Sequence, residues 1–66
     1  MDSNLGFIER GSIKEAAQAG YIVESLDRKG IISPPIQPIN DSTYTQGDMV
    51  LFVLFRDGTG KIISGA

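Results

Sequence analysis

Met49-Val50-Leu51-Phe52-Val53-Leu54-Phe55 is a run of seven consecutive apolar residues, bracketed by Gly47-Asp48 before it and Asp57-Gly58 just after it. The run is short and ends on turn residues at both sides, which favours a strand over a helix. In an extended chain, successive side chains point to opposite faces. Met49, Leu51, Val53 and Phe55 then share one face, and Val50, Phe52 and Leu54 share the other. Both faces are apolar, so the strand must be covered on both sides. A chain of 66 residues builds one core. The expectation is that this core takes the Met49 face. The face of Val50, Phe52 and Leu54 then needs a second cover, from Leu5, Phe7 and Ile8, from residues 12–19, or from a neighbouring chain.

Working outward, Arg56-Asp57-Gly58-Thr59-Gly60 reads as a tight connection, and Lys61-Ile62-Ile63 pairs back as a hairpin. Gly58-Thr59-Gly60-Lys61 superficially resembles a phosphate loop. The pattern requires a glycine five residues before the Gly-Lys pair and a Ser or Thr after the lysine. Phe55 and Ile62 occupy those positions, so the segment reads as a turn.

Upstream, residues 34–39 (PPIQPI) carry three prolines. Proline has no amide donor, so this segment fits an edge or an arc over a barrel mouth, with Ile36 and Ile39 pointing inward. Residues 21–26 (YIVESL) read as a strand, with Ile22 and Leu26 on one face and Tyr21 and Val23 on the other. Asp27-Arg28-Lys29-Gly30 is a turn in which Gly30 supplies a positive φ, and Ile31, Ile32 and Ser33 return.

Residues 12–19 (SIKEAAQA) carry two signals. Ser12 and Glu15 match a capping box, Gly20 could close a helix, and the alanines favour one. Two turns alone are unstable, however, and an extended first strand competes. Residues 1–11 read as a flexible or docking arm around Leu5, Phe7 and Ile8.

Composition narrows the chemistry. The chain has no His and no Cys. Catalytic arrangements that require either are therefore excluded, as are disulfides and thiolate or imidazole metal ligation. No catalytic, cofactor-binding or metal residues are assigned. No apolar run approaches the roughly 18–20 residues of a helical membrane span. The start of the chain, with Asp2 and a single basic residue, Arg10, in its first ten, does not read as a signal peptide. Six basic against eight acidic residues give a formal charge of −2, which argues against nucleic acid and anionic membranes as partners. A small-molecule substrate is also disfavoured, because one small core leaves little room for a cleft. The carboxylates show no constellation of catalytic spacing, and those beside glycines fit turns. Tyr21, Tyr44, Phe52 and Phe55 could form a base-stacking platform, but they fit a core better.

Residues 20–33, then Tyr44-Thr45-Gln46-Gly47-Asp48-Met49-Val50, then residues 55–63 follow an order that resembles small phage and prophage tail or baseplate proteins with OB-like barrels. The likeness covers about two-thirds of the chain. It implies a non-enzymatic assembly role, in a virion or in the cytoplasm of a bacterial host.

The expected fold is mainly β, a single domain over 1–66. It is a small four- or five-stranded barrel, OB-like or SH3-like, with helix or strand left open at 12–19. The expected function is a structural or assembly module acting through an apolar face or strand edge, as a homo-oligomer or with another protein. Its candidate interface residues are Leu5, Phe7, Ile8, Val50, Phe52 and Leu54. The alternative is a small barrel that binds a peptide or nucleic acid through Arg28, Lys29, Arg56 and Lys61.

Overall fold

The computed structural model describes residues 7–66, with side chains from Ile8 onward. Five strands form one curled sheet: β1 (Phe7–Ala17), β2 (Gly20–Ser25), β3 (Gln37–Pro38), β4 (Met49–Leu54) and β5 (Gly60–Gly65). Their spatial order is β2-β1-β4-β5-β3. All neighbouring pairs are antiparallel except β3 with β5, which is parallel. The mainly β, small-barrel expectation therefore holds.

Residues 12–17 are extended, so the helical alternative is not realised. An isolated two-turn helix lacks enough internal bonds to hold itself. As a strand the same residues pair with β2, from Gly11 opposite Ser25 to Ala17 opposite Gly20. Farther back, residues 7–12 pair with β4. Residues 7–11 are therefore the start of β1, which lies between β2 and β4, and not an arm; Leu5 lies outside the described residues. Ser12 and Glu15 form no capping box. Lys14 is the extra residue of a β-bulge between Ile13 and Glu15. Gly20 is no helix cap either. It takes φ +148°, and its backbone lies so close to Ile36 that a Cβ there would come within 2.6 Å of the Ile36 carbonyl oxygen.

The two expected hairpin returns form. Gly30 adopts φ +85°. Ser25 N–H donates to the Ile31 carbonyl, and Ser33 N–H donates to the Val23 carbonyl. At the other turn Phe55 N–H donates to the Thr59 carbonyl at 2.7 Å, and Leu54 stands opposite Gly60.

The proline segment ties the sheet to itself. Ile36 exchanges two main-chain hydrogen bonds with Tyr21 on β2, at 2.8 and 2.9 Å. The next residues, Gln37 and Pro38, pair with Lys61 and Ile62 on β5. Residues 31–39 thus run from the β2 edge to the β5 edge. Ile36 points into the core as expected, but Ile39 does not and is 59% exposed. Its amide is spent on the Ile62 carbonyl, which holds it outside the curl.

The core is Ile13, Val23, Ile36, Val50, Phe52 and Ile62, with Tyr21, Tyr44 and Leu54 packed against it. This reverses the expected assignment of the β4 faces. Val50 and Phe52 are fully buried, whereas Met49 is 49% exposed. The reason lies in the neighbours. Phe52 is opposite Ile62 on β5 and Glu9 on β1, and Val50 is opposite Gly11. Gly11 leaves the space that the Phe52 ring fills.

Candidate functional site

Two surfaces stand out: the outer face of the sheet and the corner where the β2 turn meets β1. On the outer face, Ile8 is in register with Val53, which is in register with Lys61. Ser12 is in register with Met49, and Arg10 with Leu51. Ile63 is the extra residue of the bulge between β4 and β5, beside this row. Ile8 is 65% exposed, and Met49 stands half exposed on the same side. Val53 is buried, while Leu51 and Ile63 are partly covered. The face is an apolar stripe with Arg10, Ser12 and Lys61 along its margins.

Of the expected interface residues, only Ile8 is found on this face. Val50 and Phe52 have no exposed surface, and Leu54 packs on the core. Val50 and Phe52 are core residues, not contact residues. The Phe7 side chain and Leu5 lie outside what is described. Met49, Leu51 and Val53, expected inside the barrel, lie on this outer face. An apolar run on both faces does not encode which face the sheet curls around, and no local signal could have resolved it.

At the corner, β1 places Glu9 on the inner face and Arg10 on the outer face, by simple alternation. The β2 turn brings Asp27 and Arg28 against them in crossed order. The Arg28 guanidinium binds the Glu9 carboxylate in a fork, Nε to Oε1 at 2.9 Å and Nη2 to Oε2 at 2.6 Å. Ser25 Oγ donates to Glu9 Oε1 at 2.8 Å. The Glu9 side chain is only 6% exposed. Arg28 beside it holds its carboxyl below the usual glutamate range, against burial, which acts in the opposite direction. Arg10 forks onto Asp27 Oδ1, at 3.1 Å from Nε and 2.8 Å from Nη2. The Arg10 amide donates to Asp27 Oδ2 at 2.8 Å. These bonds lower the Asp27 carboxyl in turn, the backbone donor most.

The residues of the alternative binding surface do not lie on one element. Arg28 is engaged by Glu9 and Lys29 is exposed on the same turn. Arg56 sits in the β4–β5 connection, and Lys61 faces outward on β5, two strands from β1. The aromatic platform is not assembled. Phe52 is in the core, and Tyr21 and Tyr44 meet edge to face at 5.7 Å. The Tyr44 amide donates to the Tyr21 hydroxyl. Asp57 accepts both the amide and the hydroxyl of Thr59, and Asp48 accepts the Thr45 amide, so these carboxylates build turns. Among the described residues no group of three or more Asp or Glu is placed to hold a metal ion.

Sequence reasoning missed Glu9. A charged residue two positions from a glycine, at the start of a strand, carries no local sign that it faces inward. Comparison of the chain with protein-family models, with curated proteins and with solved structures returns no match.

Proposed function

We propose that the chain is a non-enzymatic structural module that assembles with copies of itself through the outer face of its sheet. Ile8, Met49 and Leu51 form the centre of the contact. The observation that carries this reading is the apolar outer row of β4, on which Met49 is half exposed, with Ile8 exposed on the neighbouring strand. Removing apolar surface of this kind from water favours association, by about 25 cal/mol per Å². The likeness to phage and prophage tail or baseplate proteins supports the same role and would place the chain in a virion or in its bacterial host. Face packing is favoured over edge pairing, because residues 31–39 already occupy main-chain groups on both β2 and β5.

The test is the solution mass by light scattering across a concentration range. The expected result is a defined oligomer for the natural chain and a folded monomer for Ile8→Lys combined with Met49→Lys. A natural chain that remains monomeric at millimolar concentration removes self-assembly.

A further inference from the structure

We propose that the crossed pairs Glu9–Arg28 and Arg10–Asp27 are a latch, and that breaking them frees the turn at residues 26–30 from residues 7–10 while the rest of the sheet stays folded. This goes beyond the assembly reading and does not depend on it.

The pairing pattern isolates the corner. Main-chain pairing of β1 with β2 ends where Gly11 meets Ser25, while β1 with β4 continues to Phe7 opposite Leu54. Among the described residues, 7–10 therefore have a strand on one side only. On the other side the turn stands in for a strand. One main-chain bond joins them, from the Leu26 amide to the Arg10 carbonyl at 2.8 Å. The Arg10 amide, which a further strand would otherwise satisfy, is taken by the Asp27 carboxylate. The turn thus also covers a stretch of strand edge, a surface prone to pair with other chains when bare.

Glu9 is the centre of the latch. Its carboxylate accepts three donors, one from Ser25 and two from Arg28. The Ser25 oxygen in turn accepts the amides of Asp27 and Arg28, at 3.2 and 2.9 Å, which commits its single proton to Glu9. Each of these bonds spans the turn and β1 or organises the turn itself. The charged groups facing Glu9 are Arg28 and, more weakly, Asp27, both from the turn. Its register partner on β4 is the apolar Phe52. Asp27 faces Arg10. Both acids must be ionised to hold the latch, so acid opens it from both pairs at once.

Hydrogen exchange at neutral pH on the natural chain, Glu9→Gln and Asp27→Ala tests this. Amides of Arg10, Leu26 and Arg28 should exchange at least tenfold faster in each variant, with those of Ile13, Tyr21 and Ile36 unchanged. An equal acceleration at all these amides, or none at the corner, overturns the proposal. If Glu9→Gln fails to fold, Asp27→Ala at an exposed position still decides, as does an acid titration of the natural chain followed by amide NMR. There the corner amides should shift before the core signals are lost. Loss of both together overturns it.

Discussion

Gly11 shows how closely single residues set this core. A Cβ at that position would come within 2.5 Å of Val23 Cγ1 and 2.6 Å of Phe52 Cε1. Both are side chains of a packed interior with little room to move. Gly11→Ala should lower the unfolding free energy by about 1–3 kcal/mol, the usual range for overpacking. Urea denaturation measures it, and pairing the change with Phe52→Leu should recover part of the loss. Titration is likewise a residue property here. Glu9, Asp27 and Asp57 all have carboxyls lowered by the folded structure: Glu9 by the Arg28 side chain, Asp27 chiefly by the Arg10 amide, Asp57 by the Thr59 hydroxyl and amide. A lowered acid contributes stability that is complete above its unfolded value, about 4. It is lost as pH falls through the lower folded values. The urea midpoint should be level from pH 5 to 8 and fall below pH 4. A midpoint that rises on acidification contradicts the assignment.

Among the elements, the strap at residues 31–39 is the least regular and carries a large share of the closure. It has two sets of anchors, the main-chain bonds of Ile31, Ser33 and Ile36 to β2 and those of β3 and Ile39 to β5. Ser33 reinforces the first by accepting the Val23 amide on its hydroxyl, at 2.9 Å in a buried position. Ile36 is the strap's only contribution to the core cluster. Ile36→Ala should cost about 2–5 kcal/mol, as buried large-to-small changes do. Ile39→Ala, four-tenths covered at most, should cost well under half of that. Similar losses at both sites would mean that the strap is held by its main-chain bonds alone. On β4, Phe52→Asp places a charge in a fully buried site. The variant should be unfolded by circular dichroism; a folded variant that merely fails to assemble would restore Phe52 as a contact residue.

For the whole molecule, 66 residues without a disulfide leave little surplus stability. Association through the outer face would add to it by mass action, since a partner that binds only the folded chain raises its apparent stability. The melting temperature of the natural chain should therefore rise with protein concentration. That of Ile8→Lys with Met49→Lys should not. Concentration-independent melting of the natural chain, measured by differential scanning calorimetry, would count against the assembly reading.

The residues alone were enough to identify the β4 strand, its hairpin with β5, the turn at Gly30 and the exclusion of the prolines from a central strand. Each is a local matter of side-chain type, turn chemistry or a missing amide. Three features were legible only once the chain was folded. Residues 12–17 carry good helix formers, yet pairing with β2 and β4 outweighs that preference. The two faces of β4 are equally apolar, and only the gap at Gly11 and the position of Ile62 select Phe52 for the interior. Glu9 and Arg28 are 19 residues apart and meet only because β2 returns along β1. Local preference acts over a few residues, whereas the inside of a curled sheet is defined by strands distant in the chain.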